Sequence, residues 1–203
     1  MTRRAPFDDS DESGPSARSR DAHAAGPLRS ARMTDSFTAA ELDAAFAQFQ
    51  KTVAEVADHR DWDVWADQFT ENADYIEHAY GTMHGRDEIR TWINKTMTAF
   101  PGSHMTGYPS LWHVTDPSTG RVICEVDNPM RDPGDGSQFT ATNITILTYG
   151  GDGLWSCEED VYNPMKFGLM ARQWCDRAAE LGTLDDAARR WMETTGAMFG
   201  RTR

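Results

Sequence analysis

Cysteine is scarce in this chain of 203 residues, and long apolar runs are missing from it. The three cysteines, Cys124, Cys157 and Cys175, lie far apart and form no C-x-x-C pair, so the sequence indicates neither a disulfide framework nor a zinc knuckle. No stretch has the length and hydropathy of a transmembrane helix, and the N-terminus lacks the apolar segment of a signal peptide. We therefore expect a soluble protein in the reducing cytoplasm.

Positive charge is also in short supply. The chain has 20 Lys and Arg against 32 Asp and Glu, with a formal net charge of -12. Nucleic acids and anionic membranes are bound through clustered Lys and Arg, which this sequence does not concentrate anywhere. We therefore expect no nucleic-acid partner and no membrane partner.

Motifs for cofactors and metals are missing as well. The glycine-rich phosphate loop, the dinucleotide fingerprint and the nucleophile elbow do not occur. The "DPGDG" at residues 132–136 lacks the terminal glutamate of a calcium loop, and we interpret it as a hairpin turn. His78 and His84 have no third ligand at a recognisable spacing. The sequence predicts neither a cofactor nor a metal site.

The first 32 residues differ in composition from the rest. They are rich in Arg, Ser, Asp, Ala, Gly and Pro and contain few large apolar groups, so burial cannot offset the entropy of ordering them. We expect residues 1–32 to be a disordered extension, and Met33 offers a second start that leaves their place in the native protein open. We expect one domain over residues 33–182 and a C-terminal helix and tail over residues 183–203.

The domain begins with helices. Thr38 and Glu41 form a capping box, which is followed by apolar residues at helical spacing: Leu42, Phe46, Phe49, Val53 and Val56. A short second helix is predicted in "RDWDVWADQF", and a third over residues 87–100. Between them, "TENADYIEHAYGTMHG" loses the helical period and predicts one strand and a turn.

After Gly102 the pattern becomes that of strands. "YPSLWHVTD", "RVICEVDNPM", "QFTATNITILTY" and "LWSCEEDVY" predict three or four antiparallel strands. A helix that ends at Gly182 and a last short helix near residues 184–198, opened by Thr183, follow. This order predicts an α+β domain whose helices pack on one face of a curved sheet and enclose a pocket.

Three segments carry a resemblance to a known family. With this order of elements, "DWDVWADQFTENADYIEH", "GRDEIRTWI" and "EEDVYNPMKF" resemble the SnoaL-like, or nuclear transport factor 2-like, superfamily over roughly residues 38–182. Its members include polyketide cyclases, ketosteroid isomerase and scytalone dehydratase. The resemblance implies a cone-shaped α+β barrel, with a curved, mixed, mostly antiparallel sheet wrapped around the N-terminal helices and extra C-terminal helices. It also implies a homodimer formed through the outer face of the sheet.

The resemblance further implies candidate site residues. Glu77 matches the first-strand base of ketosteroid isomerase, whereas the helix-one tyrosine of that enzyme is replaced by Val53. Scytalone dehydratase has polar pocket residues that match Asp58, His104 and Asn143. The remaining candidates are aromatic and belong to elements that bound the family pocket: Trp62, Trp65, Tyr75, Trp112 and Tyr162.

Strand alternation separates the neighbours Glu77 and His78. Glu77 shares a face with Tyr75, and His78 points to the opposite side, so the two cannot act as an acid–base pair. A carboxylate that faces an aromatic pocket would have a raised pKa, as a general base near neutral pH requires. A solvated or salt-bridged acid is the alternative for Glu77.

The other candidate residues also have structural explanations that involve no function. His104 could be a surface loop histidine, Asn143 could bond a neighbouring side chain, and Asp58 could be solvated. We interpret the acid run at residues 158–160 as an exposed strand.

Two functions are compatible with these residues. The first is a cofactor-independent proton-transfer enzyme, of the dehydratase, isomerase or cyclase type, acting on a small hydrophobic oxygenated molecule such as a steroid or polyketide. In it Glu77 and His104 would be catalytic, and His104 and Asn143 would polarise the substrate oxygen. The alternative is a non-catalytic ligand-binding or dimeric assembly module. A salt-bridged Glu77 and no cavity behind Trp62 would favour that alternative.

Overall fold

The computed structural model describes residues 37–199, so the expectation for residues 1–32 lies outside the described part of the chain. Helix α1 spans Ala39–His59, and Oγ1 of Thr38 accepts a hydrogen bond from the backbone N–H of Glu41 at 3.1 Å. This cap confirms the predicted helix start, and all five predicted apolar positions are buried. Arg60 ends the helix in a left-handed conformation.

Two shorter helices flank a hairpin. Helix α2 spans Trp62–Ala66 and helix α3 spans Arg86–Thr98. The segment between them forms two antiparallel strands, β1 (Phe69–Glu77) and β2 (Gly81–His84), rather than the single strand that we predicted. Gly81 has a φ of 107°, a value that glycine adopts readily, so the chain can reverse there and pair back on itself.

The remaining strands extend the sheet. They are β3 (Ser110–Asp116), β4 (Arg121–Asp127), β5 (Thr142–Gly151) and β6 (Leu154–Val161), in the spatial order β2-β1-β6-β5-β4-β3. All neighbouring pairs are antiparallel except β1 and β6, which are parallel. The sheet is therefore mixed, as expected, but it has two open edges and does not close into a barrel.

The connection between β4 and β5 is longer than a hairpin turn. Residues 128–141 lie between the two strands, and Oδ1 of Asp132 accepts the backbone N–H groups of Gly134, Asp135 and Gly136 at 2.7–3.0 Å. The backbone N–H groups of Asn128 and Met130 donate to the carbonyl oxygens of Ala141 and Phe139 and continue the register of β4 and β5. Residues 132–136 therefore turn the chain at the tip of this hairpin, as predicted.

Two further helices complete the described chain. Helix α4 spans Pro164–Leu181 and ends at Gly182 in a left-handed conformation, as predicted. Helix α5 spans Asp186–Glu193 and is capped by Asp185, not by Thr183. The hydroxyl of Thr183 instead donates to the carbonyl oxygens of Pro133 and Ala178. Within residues 37–199, no helix is both long and apolar enough to cross a membrane.

The buried apolar side chains form two clusters. The first joins α1, α2 and α3 to the concave face of the sheet. The second joins α4 and α5 to Phe100, Met105 and Met130. The first cluster surrounds the site described below.

Candidate functional site

A cavity of about 90 Å³ lies between the three N-terminal helices and the concave face of the sheet. Five of the side chains that line it are aromatic: Phe49, Trp62, Trp65, Tyr75 and Tyr108. Five polar side chains line it from the sheet and the end of β4: Asn128, Asn143, Thr145, Glu158 and Asp160. The cavity therefore has an aromatic wall, formed mainly by α1 and α2 and completed by Tyr75 of β1, and a polar floor on the sheet side.

Strand alternation places two of the three acids of β6 in the cavity. Glu158 and Asp160 are two residues apart and share the concave face, whereas Glu159 lies on the other face and contacts Nε2 of His78 at 2.8 Å. Because β6 pairs with β1 on one side and β5 on the other, these acids are central in the sheet. The exposed-strand interpretation of residues 158–160 was therefore wrong, since Glu158 is only 5% exposed.

The carboxylate of Asp160 is held by three donors. The hydroxyl of Tyr75 donates to Oδ2, while Nδ2 of Asn143 and Oγ1 of Thr145 donate to Oδ1 at 2.8 and 2.5 Å. Asn128 in turn donates from Nδ2 to Oδ1 of Asn143 at 2.8 Å, which fixes the orientation of that amide. Donors of this kind favour the ionised form of a carboxyl group.

Glu158 has a different environment. Its Oε2 is buried and has no hydrogen-bond partner among residues 37–199. Burial, and then the negative charge of Asp160, raise the pKa of Glu158 well above its usual 4.5. Burial also raises the pKa of Asp160, but the hydrogen bonds from Thr145, Tyr75 and Asn143 act in the opposite direction. The pair therefore favours a neutral Glu158 beside an ionised Asp160.

The two cavity tyrosines stay protonated. Burial, together with the charge of Asp160, raises the pKa of Tyr75 well above 10, and burial raises the pKa of Tyr108 to about 12. Tyr75 can therefore donate to Asp160 throughout the neutral range.

Four of the candidate residues from the sequence are brought together here. Trp62, Trp65, Tyr75 and Asn143 all line the cavity. Val53 also lines it, in the region of α1 where ketosteroid isomerase carries a tyrosine.

Glu77 and Tyr162 lie outside the cavity lining and contact each other. Glu77 is buried, and its Oε2 accepts the backbone N–H groups of Ala79 and Tyr80, each at 2.7 Å. The hydroxyl of Tyr162 donates to Oε1 of Glu77. In these contacts Glu77 fixes the turn between β1 and β2 and ties it to the chain just before α4. His78 contacts Glu159 on the opposite face, as strand alternation predicted.

His104 belongs to the second apolar cluster, not to the cavity. It is 4% exposed, so the surface-loop alternative is excluded. Its Nε2 lies 2.7 Å from Oδ2 of Asp185, and its ring packs edge-on against Phe100 and Trp174. Burial, and then the charge of Arg131, lower the pKa of His104. These contacts tie the segment after α3 to the start of α5.

Trp112 and Asp58 are the remaining candidates, and neither lines the cavity. Trp112 is 45% exposed on the outer face of the sheet, where its Nε1 donates to Oε2 of Glu125 at 2.6 Å. Asp58 is exposed at the end of α1.

Comparison with known proteins identifies the family. A family model described as a SnoaL-like domain matches residues 38–155. The chain belongs to the SnoaL-like family. No curated protein is similar enough in sequence to match.

Solved structures share the SnoaL-like fold at low sequence identity. A candidate isomerase from Bacillus subtilis is 14% identical with a TM-score of 0.51, over 71% of this chain and 99% of that one. An LEH-like epoxide hydrolase from M. tuberculosis is 8% identical with a TM-score of 0.52, over 70% and 95%. A candidate polyketide cyclase from Xanthomonas campestris is 13% identical with a TM-score of 0.48, over 62% and 96%. At these identities the likeness to the candidate isomerase and the epoxide hydrolase, with TM-scores above 0.5, supports the fold alone.

Sequence reasoning missed six polar residues of this SnoaL-like cavity: Gln50, Tyr108, Asn128, Thr145, Glu158 and Asp160. A signal for one of them was present, because Tyr162 was a candidate pocket residue and Asp160, two positions earlier, shares its strand face. Asn143 gave a second signal, since a buried amide needs a partner. No local pattern marks Tyr108 or Asn128, which lie in loops that the tertiary fold brings to the cavity.

The contacts of His104 lead to a stability prediction. Asp185 caps α5 through the N–H of Ala188 at 2.9 Å and also contacts His104 and Arg131. Asp185→Ala is expected to lower the free energy of unfolding by about 2–3 kcal/mol, because a helix cap is lost and a buried imidazole loses its partner. Urea denaturation measures the change. Asp186→Ala, in the exposed first turn, is the control, and an equal loss in both variants would contradict this reading.

Proposed function

We propose that this SnoaL-like protein is a cofactor-independent proton-transfer enzyme, with Asp160 as the general base and Glu158 as the general acid. The supporting observation is the unequal environment of two neighbouring carboxyl groups in one cavity. Asp160 accepts three hydrogen bonds, whereas Oε2 of Glu158 has none from residues 37–199. Environments that push two pKa values apart are typical of acid–base pairs. We assign these roles to Glu158 and Asp160 because Glu77 and His104 do not line the cavity.

The proposed step forms an enol by two proton transfers, one from a carbon atom of the substrate and one to its carbonyl oxygen. Asp160 removes a proton from the carbon next to a carbonyl group, and Glu158 donates its proton to the carbonyl oxygen as the enol forms. In a substrate with a neighbouring C=C bond the intermediate is a dienol: Asp160 returns its proton to the far carbon, Glu158 takes back the proton from the enol oxygen, and the carbonyl group and a shifted double bond result. In a dehydration, the acid instead protonates a hydroxyl group on the next carbon, the C–O bond breaks and water leaves. Both outcomes are compatible with this arrangement.

The size of the cavity bears on the substrate. Its volume of about 90 Å³ is smaller than the roughly 150 Å³ of an engineered protein cavity that binds benzene. A steroid nucleus is several times larger than benzene, so the cavity would have to widen to admit it. The volume favours a molecule no larger than a single small ring, and we propose oxygenated substrates of this size.

Exchange of deuterium into a simple ketone tests the proposal. Cyclopentanone in D₂O at neutral pH should lose its α-proton NMR signals faster with the protein than in buffer. Glu158→Gln and Asp160→Asn should each slow the catalysed exchange by about 10²–10⁴-fold, the usual contribution of a positioned acid or base. Glu159→Gln is the matched control, because this residue lies on the same strand but faces the other way, and it should keep the wild-type rate.

Two results would count against the enzyme. Full exchange activity in Asp160→Asn would remove this residue from the mechanism. Exchange no faster than in buffer, with cyclopentanone still bound, would support the non-catalytic binding module that the sequence also allowed.

We also propose a homodimer formed through the outer face of the sheet. The pairing register puts Val114 beside Ile123, Ile123 beside Ile146, and Ile144 beside Val161, so the apolar residues form a continuous stripe. Val114 and Val161 at its ends are 54% and 43% exposed. An exposed apolar stripe of this kind is a common protein-interaction surface.

Sedimentation equilibrium tests the homodimer. The wild-type protein should have twice the mass of one chain, and Val114→Lys should shift it to the monomer, because a buried lysine at the interface has no partner. Val64→Lys is the control, since Val64 is exposed to a similar degree on α2. A monomeric wild-type protein would refute the homodimer.

A further inference from the structure

Three buried side-chain polar atoms have no hydrogen-bond partner among residues 37–199. They are Nε1 of Trp62, Oε2 of Glu158 and Oγ1 of Thr70. Trp62 and Glu158 both line the cavity, and they are 3% and 5% exposed. Thr70, on β1, is not part of the cavity lining. Two of the three unpartnered atoms therefore belong to side chains of the same site.

Unpartnered buried polar atoms are costly, so their coincidence at a cavity points to a missing partner. A buried donor or acceptor without a hydrogen bond destabilises a folded protein by about 1–3 kcal/mol. The indole N–H of Trp62 is a donor and cannot accept, so a ligand atom that partners it must carry a lone pair. A neutral Glu158 offers an O–H, which also requires an acceptor.

We propose that the cavity binds a small uncharged molecule through an acceptor oxygen, and that Nε1 of Trp62 donates a hydrogen bond to this oxygen. This inference rests on the proposed function only in using the same cavity. It assigns Trp62 a polar contact with the ligand in addition to its place in the aromatic wall. For the proton-transfer reaction proposed above, a carbonyl oxygen is the acceptor that fits.

A cationic ligand is the competing occupant of such a cavity. Aromatic rings and two carboxyl groups can hold an ammonium group through cation–π and ionic contacts. An ammonium group has no lone pair, however, so it would leave the N–H of Trp62 without a partner. It would also favour ionised forms of both acids, whereas Glu158 lies in an environment that favours its neutral form.

Three ligands with the same ring separate these possibilities: cyclopentanone, cyclopentylamine and cyclopentane. Each is titrated into protein with ¹⁵N-labelled tryptophan, and the indole N–H resonance of Trp62 is identified by its loss in Trp62→Phe. Cyclopentanone should move this resonance downfield more than cyclopentane does, because only the ketone accepts its hydrogen bond. The ketone should also bind more tightly than the amine.

Variants test the contribution of the indole N–H. Trp62→Phe keeps an aromatic ring and removes the donor, so it should weaken cyclopentanone binding about threefold to tenfold more than it weakens cyclopentane binding. Thr70→Val removes the third unpartnered atom, which lies outside the cavity lining, and should bind all three ligands like the wild type. If Trp62→Phe fails to fold, through-space NOE contacts with the ring of Tyr108, whose centroid is 5.7 Å from that of Trp62, assign the resonance instead, and its shifts in the wild-type protein decide alone.

Several outcomes would overturn the inference. These are tighter binding of the amine than of the ketone, equal shifts of the Trp62 resonance with ketone and hydrocarbon, or no binding of any of the three. Binding of the ketone at Trp62 without deuterium exchange would refute only the proposed enzyme. Exchange that survives unchanged in Trp62→Phe would refute only the role of Trp62.

Discussion

Leucine in place of Glu158 is expected to stabilise the folded protein, by about 1–3 kcal/mol in the free energy of unfolding at pH 8. Glu158 is buried beside Asp160, and its Oε2 lacks a partner among residues 37–199. The replacement removes the unpartnered carboxyl oxygen beside Asp160, and leucine has a volume similar to that of glutamate. The same change should abolish the proposed activity, as expected when a functional group is kept at a cost in stability.

The gain from Glu158→Leu should depend on pH. Because the pKa of Glu158 in the folded state lies well above the usual 4.5, the folded protein retains a proton that the unfolded chain has released. Wild-type stability therefore falls as the pH rises above about 4.5, until the folded-state pKa is passed, by about 1.4 kcal/mol per unit of pKa shift. The leucine variant should lose less stability over this window. The raised pKa of Asp160 acts in the same direction. The stability of the leucine variant should therefore still fall somewhat as the pH rises.

Urea denaturation between pH 4 and pH 9 measures both effects. Glu159→Leu is the matched control, because the same substitution one residue along the strand falls on the other face of the sheet. It should change stability by no more than about 0.5 kcal/mol. A Glu158→Leu variant less stable than the wild type at pH 8 would show that the carboxyl group has a stabilising partner.

Asp160→Leu is expected to have the opposite effect, a loss of about 3–5 kcal/mol. Asp160 is the acceptor for Tyr75, Asn143 and Thr145, so its removal leaves three donors facing a leucine side chain. Each such donor costs free energy when it is buried without a partner. Two acids that are two residues apart on one strand should therefore change the stability in opposite directions.

A double variant separates lost hydrogen bonds from poor packing. Thr145→Val removes one of the donors that Asp160→Leu leaves without an acceptor. The double variant should therefore lose less free energy of unfolding than the sum of the two single losses. Additive losses, measured by the same urea denaturation, would point to packing as the cause. A single Asp160→Leu variant as stable as the wild type would contradict the hydrogen-bond account of this carboxylate.

Local chemistry explains the parts of the fold that the sequence predicted well. The hydroxyl of Thr38 caps α1, and Gly182 ends α4, because both act within one turn of their own helix. Gly81 was interpreted as part of a terminal turn, although Gly81 and the three residues after it form strand β2. Whether a short segment after a turn pairs as a strand depends on the partner that lies beside it.

The aromatic part of the candidate site was also predictable. Trp62 and Trp65 repeat at helical spacing. Tyr75 lies on a strand, where the alternation of side chains determines which face it occupies. The acids of β6 were not recognised, because an acid run at the end of a strand is ordinarily solvated. Their burial follows from the position of β6 between β1 and β5 in the centre of the sheet.

The sequence by itself determined the α+β class, the start of α1 and the end of α4, the family and most of the aromatic wall, because these depend on residues that are close along the chain. Only the tertiary structure decided which polar groups meet. Asp160 contacts Tyr75 across 85 positions and Asn143 across 17, and the parallel pairing of β1 with β6 brings the first pair together. The same long-range packing places Glu77 against Tyr162 and His104 against Asp185, outside the cavity. The environment of a buried carboxyl group is set by such distant neighbours, and no local pattern encodes them.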